Sequence, residues 1–349
     1  DFFRDLMLPP PHYHLGVGSG THAQQTGKVM IAYEKLLMEK QPDLMVVAGD
    51  VNSTLACTLA AAKFLYPKYS EANGLHAQAC EMRAVSCELV RRPLVAHLEA
   101  GLRSFDRTMP EEINRIVTDS LADILWTPSP DADENLLREG IPPEKIERVG
   151  NIMIDSLEMM RPQIMAENAL AKYGLKAGRY GVVTLHRPSN VDHPESLKKL
   201  CDALQHIAAD LPLIFPVHPR TRKNLEAFGL YHGLAAASGI FLDKPLSYIT
   251  FMNLVFNCRL VITDSGGIQE ETTYLGIACL TLRPNTERPI TVTQGTNRLC
   301  TSENLARLAE SAMTNHASPQ PPPLWDGRTA ERVAESAKHF LLLSHKLER

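Results

Sequence analysis

Short apolar runs rich in β-branched residues alternate with longer stretches of helical periodicity along nearly the whole chain. Tyr13 to Val17 reads as a brief strand, and Thr21 caps a helix from about Ala23 to Lys40. In that helix Val29, Met30, Ala32, Tyr33, Leu36 and Leu37 recur at helical spacing. Leu44 to Gly49 is a buried strand with Asp50 at its C-terminal end, and Asn52 starts an alanine-rich helix reaching about Leu65. Residues 67 to 92 interrupt the pattern; a helix from Ala77 to Arg91 is expected there, without assignable chemistry. Leu94 to Leu98 is the next strand, followed by Glu99 and Gly101. Pro110 opens a helix whose positive end suits Glu111 and Glu112. Ile124 to Thr127 and Ile146 to Val149 complete the strands of this half, with a helix from Asp131 to Glu139 between them.

Asn151 to Gly178 reads as a partly helical connector. Strands are then expected at Gly181 to Leu185, Leu213 to Val217, Gly239 to Leu242, Arg259 to Thr263 and Ala278 to Leu282. Helices are expected over Pro194 to Ala209, Ile268 to Leu275 and Thr329 to Leu343, the last preceded by a proline-rich loop at 315–323. Strand, polar turn and helix in alternation is the unit of a parallel α/β sheet. The boundaries predicted are 1–153 and 154–328 for two such domains, with 329–349 as a closing helix that packs back on the first. The 349 residues are enough for both.

Composition narrows the picture only a little. The chain is 44% hydrophobic and 22% charged, as ordinary soluble domains are, and its net charge of −4 argues against nucleic acid or a membrane surface as partner. No apolar run approaches the about 18 residues needed to span a bilayer. Seven cysteines lie scattered without metal-ligand spacing, which suits a reducing compartment and a cytoplasmic protein. Neither a metal nor an organic cofactor is expected; no Walker sequence, GxSxG elbow or strand-following GxGxxG is present.

Polar residues gather just after the strands, where open α/β sheets bind ligands. The strongest candidate is Asp264-Ser265-Gly266-Gly267 before the helix at Ile268. Two residues without Cβ atoms let a ligand approach the backbone, and the helix's first N–H groups form a phosphate seat. Glu271 lies one turn on, placed to accept from a sugar diol. Asp50, Glu99 and Glu111 would make a carboxylate wall on the other half, where repulsion and burial can raise one pKa into the range of a general acid or base. Arg115 shares a helical face with Glu111 and Asn114. His186 and Arg187 at one strand end, and His218 at another, can hold an anion or move a proton. Arg288 lies in a loop able to reach the same cleft. Each has a plainer reading: Asp50 as a helix cap, Glu99 as a surface carboxylate, the histidines as structural, the arginine pairs as solvated.

Taken in order, several stretches resemble the non-hydrolysing UDP-N-acetylglucosamine 2-epimerases. They are Asp50 after Val-Val-Ala-Gly, His97-Leu98-Glu99-Ala100-Gly101-Leu102-Arg103, Pro110-Glu111-Glu112-Ile113-Asn114-Arg115, Thr184-Leu185-His186-Arg187, Thr263 to Glu271, and Thr286-Glu287-Arg288-Pro289. The resemblance covers nearly all of residues 12 to 345. It implies two Rossmann-like domains of the glycosyltransferase-B type with the active site between them. It implies interconversion of UDP-GlcNAc and UDP-ManNAc without metal or nicotinamide, through loss and return of UDP across a glycal. By motif, Asp50, Glu99, Glu111 and His186 match the family's catalytic positions. Ser265, Gly266, Gly267 and Glu271 match those holding diphosphate and ribose, and Phe251 one near the uracil. A UDP-sugar is the implied partner, and a homodimer the implied assembly.

The sequence departs from the family in three places. Nothing matches its opening strand and Gly-Thr-Arg-Pro-Glu turn, so the first strand-helix unit is expected to be missing. Residues 67–92 read as an insertion. The residues after His186 and His218 differ from the commonest forms, so activation by a second UDP-GlcNAc is not expected. Three other readings stay open: a hydrolysing relative that releases ManNAc and UDP, a UDP-sugar-binding chain without turnover, and a glycosyltransferase.

Overall fold

The structure is a computed structural model that describes residues 9–67, 89–314 and 320–347. The described residues fall into two compact units, one from Pro11–Val149 with Glu331–Arg349 and one from Gly150–Ala330.

The first unit is built on four parallel strands in the order β1 (Leu44–Ala48), β4 (Leu94–Leu98), β5 (Ile124–Thr127) and β6 (Ile146–Arg148). Strands buried on both faces need apolar residues at every position, and all four residues of β5 are buried. On one face Met45, Val47, Val95 and Leu125 pack on Leu37, Ala60, Ala61 and Leu136 of three helices. On the other, Ala96, Ile124, Trp126 and Val149 pack on Val333, Ala337 and Phe340 of the closing helix Thr329–Leu347. Trp126 Nε1 donates to Ser336 Oγ at 2.8 Å, pinning that helix across 210 residues of sequence. The helix His22–Lys40 begins with a capping box: Thr21 Oγ1 accepts from Gln24 N, and Gln24 Oε1 accepts from Thr21 N.

The second unit holds six parallel strands in the order β12 (Asn297–Leu299), β11 (Ala278–Thr281), β10 (Leu260–Thr263), β7 (Gly181–Thr184), β8 (Leu213–Pro216) and β9 (Ile240–Asp243). Alternate side chains enter separate cores, as a strand's period of two requires. Val183, Leu260, Ile262, Leu213 and Phe215 serve one, and Val182, Val261 and Ile214 the other.

Several expectations are corrected. Residues 13–17 form no strand, and Gly16 there has φ +65°, a left-handed turn that breaks extension. Of the helix expected over 77–91, Leu89–Arg91 is instead strand β3, antiparallel to β2 (Tyr66–Pro67); the rest lies outside the described residues, as does most of the expected insertion. Part of the proline-rich loop, 315–319, lies outside them too. The helix expected from Ile268 starts at Gly266, so both glycines belong to its first turn. Helices at Pro219–Ala227, Tyr248–Phe256 and Leu305–Thr314, and strand β12, were not anticipated.

Candidate functional site

Parallel pairing brings the ends of neighbouring strands together. In the first unit Ala48 of β1 is in register with Leu98 of β4, so Asp50 and Glu99 follow adjacent strand ends. Glu99 is left-handed at φ 72°, a conformation that costs a residue with a Cβ on the order of 1 kcal/mol. Its Oε2 stands 3.4 Å from where a Cβ on Gly49 would lie. Gly101, φ +80°, lets the following loop lie on the helix Pro130–Arg138: a Cβ there would meet Ala132 O at 2.4 Å.

The helix Pro110–Leu121 supplies the partners of Asp50. Arg115, almost wholly buried, donates from Nη1 to Asp50 Oδ2 at 2.5 Å, and Asn114 Nδ2 donates to Asp50 O at 2.8 Å. Arg115 Nη2 also donates to Glu112 Oε2 at 2.7 Å. Glu112 in turn accepts from Ser104 N and Phe105 N, both at 2.9 Å, anchoring the loop after β4. Burial opposes ionisation of Glu112, but those amides and Arg115 outweigh it and hold its pKa below the usual range. Glu111 is half-buried and lines a hollow of about 360 Å³ with Asn114, His22, Gln25, Asn52 and Ser53. The helical face expected to carry Glu111, Asn114 and Arg115 together is thus divided. Arg115 grips the Asp50 carboxylate, Glu111 faces the hollow, and Asn114 does both, lining the hollow while it donates to Asp50 O.

In the second unit Thr184 of β7 is in register with Thr263 of β10, so His186 follows one strand beside the glycine-rich helix start that follows the other. Asp264, fully buried, lies between them. It accepts from His186 N, from Arg187 N at 2.8 Å and from Asn190 Nδ2 at 3.0 Å, and its Oδ1 lies 2.8 Å from His186 Nδ1. Burial opposes its charge, yet the hydrogen bonds from His186, Arg187 and Asn190 keep its pKa low. An ionised partner at Nδ1 sets that nitrogen as the donor. Arg187 Nε donates to Asp264 O. The His218 ring lies 5.5 Å from that of His186, and its Nδ1 accepts from Arg220 N to cap the helix Pro219–Ala227. Burial and the nearby His186 push the His218 pKa down.

Ser265 occupies the N-cap of the helix Gly266–Leu275, yet its side chain makes no cap hydrogen bond. A Cβ on Gly266 would sit 2.8 Å from both Arg288 Nη1 and Glu287 Oε1, so the space at that glycine is filled by the protein's own side chains. At Gly267 the nearest atom is Met153 Cε at 3.8 Å, which leaves room. Arg288 therefore stands at the positive end of the helix, paired with Glu287 and, at 2.7 Å, with Glu270. Glu271, one turn on and almost wholly buried, accepts from Tyr248 Oη at 2.7 Å; burial pushes its pKa up to about 7. Phe251 lies one turn beyond Tyr248 in the helix Tyr248–Phe256 and is half-buried.

The sequence points to Asp50, Glu99, Glu111, His186 and Ser265, and it names Asp264 and Glu112 only as part of a turn and a helix start, without the contacts they make. Asp264, Asp119 and Tyr248 bind partners more distant in sequence, and Glu112 binds across the loop that precedes its helix. The signal that could have exposed them is a carboxylate on an otherwise buried helical face or strand end.

The buried pairs predict an acid response. Glu287 lies between Arg288 and Arg283, whose Nη2 is 2.6 Å from its Oε2. Burial raises the carboxyl's pKa, but the two guanidinium groups overcome this and lower it to about 2. An unfolded glutamate titrates near about 4.3. The folded value is the lower one, so the stabilisation is complete above the unfolded value and lost as pH falls through the folded one. The melting temperature of the second unit, followed by the buried Trp325, is expected to fall between about pH 5 and about pH 2. Glu287→Gln is expected to flatten that slope; an unchanged slope would rule Glu287 out as its source.

Among the described residues no cluster of three or more His, Cys, Asp or Glu is arranged to hold a metal, and no helix is long and apolar enough to cross a membrane. Residues 1–68 and 82–338 match the family described as UDP-N-acetylglucosamine 2-epimerase. The UDP-N-acetylglucosamine 2-epimerase of Methanocaldococcus jannaschii is 40% identical over 339 residues, covering 95% of this chain and 85% of that protein. The UDP-2,3-diacetamido-2,3-dideoxy-D-glucuronate 2-epimerase of Pseudomonas aeruginosa is 37% identical over 319 residues, covering 90% and 79%. The crystal structure of the M. jannaschii enzyme in complex with UDP-GlcNAc and UDP superposes with a TM-score of 0.79, covering 97% of this chain and 87% of that one. Two parallel-sheet units and these relatives define a glycosyltransferase-B-type α/β fold. The chain belongs to the UDP-N-acetylglucosamine 2-epimerase family.

Proposed function

We propose that this protein reversibly interconverts UDP-N-acetylglucosamine and UDP-N-acetylmannosamine without net hydrolysis. The observation that supports it most is the oriented His186 beside an uncapped helix start, both following paired strand ends. The hydrogen at C2, beside an acetamido group, is not acidic enough for simple removal. Elimination avoids a free carbanion: a base takes the C2 proton, the C–H electron pair becomes a C1–C2 double bond, and the C1–O pair leaves with UDP. Addition of UDP to this glycal, with a proton delivered to the opposite face of C2, completes the inversion. In this reading the backbone amides at Gly266 and Gly267, the Ser265 hydroxyl, Arg288 and His186 hold the diphosphate as its charge grows. Arg187 and His218 support the same anion. Glu271 accepts from the ribose and Phe251 lies against the uracil. Asp50, Glu99 and Glu111, with Arg115 steadying Asp50, manage the proton at C2.

Turnover in D2O is expected to place one deuterium at C2 of the product, read by NMR or mass spectrometry. An active sample whose product retains protium there would exclude elimination. Chromatography separates the hydrolysing alternative, which accumulates free ManNAc and UDP. The P. aeruginosa relative favours a second substrate, a 2,3-diacetamido uronate nucleotide; a direct kcat/KM competition between the two sugars decides. We infer from the family resemblance a homodimer acting in the cytoplasm on this soluble nucleotide sugar, testable by sedimentation and cell fractionation.

A further inference from the structure

Two residues before Glu99 lies a buried histidine to which neither the motifs nor the relatives assign a role. His97, in β4, has no exposed surface. Its Nδ1 is 2.5 Å from Asp119 Oδ1 and its Nε2 is 2.9 Å from Gly49 O. Gly49 O is a carbonyl, which can only accept a hydrogen bond. Asp119 is an acceptor as well, because its Oδ2 takes a hydrogen bond from Gly101 N at 3.1 Å and stands 2.7 Å from Arg103 Nη1. A neutral imidazole carries one N–H and would turn a lone pair toward one of these oxygens. Only the doubly protonated ring satisfies both.

The geometry points to His97 as a permanent imidazolium whose fixed positive charge, two residues before Glu99 and bonded to the carbonyl of the Gly49 that lies against Glu99 Oε2, keeps Glu99 ionised as the base that takes the sugar's C2 proton. His97 is then a positioning residue, acting through Glu99. It also ties the ends of β1 and β4 together, since Gly49 precedes Asp50 and Gly101 follows Glu99. The charged groups around it are Asp119, Arg103 and Glu99, with Glu139 behind Arg103 at 2.7 Å. Burial alone would pull the imidazolium's pKa down; Asp119, the Gly49 carbonyl and Glu99 push it up further than that, and the net direction is up. In the proton step the C2 proton moves to the Glu99 carboxylate, the freed C–H pair forms the C1–C2 double bond, and the C1–O pair departs with UDP. Asp50 has its own cation in Arg115, whereas among the described residues no cationic side chain pairs with Glu111.

The role of Glu99 as base rests on the proposed elimination; the charge of His97 does not, and two measurements separate them. In the full chain, 15N-histidine NMR from about pH 6 to about pH 9 is expected to show one ring with both nitrogens protonated throughout, unlike ordinary histidines that titrate within this range. The resonance is assigned by its loss in His97→Gln, or from the wild-type backbone assignment if that variant does not fold. A His97 ring that titrates in this window, or carries one N–H, overturns the proposal. The second measurement is the acid limb of kcat/KM, which reports the base in the free enzyme. With the positive charge removed in His97→Gln, that limb is expected to move about one pH unit upward. A limb that stays in place overturns the biasing of Glu99. If the wild type turns over no nucleotide sugar, the proposed function fails while the ring measurement still stands.

Discussion

Asp119→Ala is expected to destabilise the first unit by about 3–5 kcal/mol, the range for breaking a buried ion pair from one side. Asp119 has no exposed surface and answers three donors: His97, Arg103 and the amide of Gly101. Alanine would leave two cations buried with one fewer anion between them, and Glu139, which also pairs with Arg103, is partly exposed and reaches only one of them. Solvent cannot replace the lost carboxylate without opening the junction of β4 with the helix Pro110–Leu121. Asp119→Asn keeps the shape and an acceptor for Gly101 N, so its cost is expected to lie between wild type and alanine. Urea unfolding, followed by Trp126 in a Trp325→Phe background, reports this unit alone, because the chain's two tryptophans lie one in each. A loss below about 1 kcal/mol, typical of an exposed pair, would mean that the junction does not depend on this charge.

The second large effect is on turnover. Glu99→Gln removes the proposed base while preserving size, and a drop in kcat of about 10²–10⁴-fold is expected. His186→Asn removes the group proposed to stand beside the departing diphosphate and is expected to lower kcat by about 10²–10³-fold, with a smaller change in KM, because the charge it would answer develops mainly in the transition state. The two variants differ in a way that tests their roles. Deuterium exchange at C2 should fall with Glu99→Gln as steeply as product formation. UDP affinity, by calorimetry, should fall with His186→Asn and remain with Glu99→Gln. A Glu99→Gln protein that keeps more than about half its wild-type rate would remove Glu99 from the reaction.

The parallel sheets were legible because most of their strands are largely apolar: Ile124–Thr127 and Leu260–Thr263 are apolar at three positions of four and buried at every one. Strand β12 was not, since Asn297 and Arg298 carry no apolar signal and only the edge of a sheet accommodates them. The helix Tyr248–Phe256 hid for the opposite reason, being apolar on nearly all sides. Positions of the candidate residues at strand ends followed from the alternation of elements. Their support did not. Asp119 reads in sequence as a polar residue on a surface helix, and only the fold brings it beneath His97, 22 residues earlier. Gly266 was read as room for a ligand, yet that room holds Arg288 and Glu287, which come about twenty residues later in the chain.

The closing helix carries a temporal consequence. Its Val333, Ala337 and Phe340 cover one face of a sheet whose strands end by Arg148, and Ser336 Oγ accepts a hydrogen bond from the Trp126 indole N–H. A ribosome therefore makes the entire Gly150–Ala330 unit before it makes the last piece of the earlier one. Until then Ala96, Ile124 and Trp126 wait uncovered on the nascent polypeptide. During that interval they are natural clients for chaperones, and a chain stopped short of Thr329 would expose them for good.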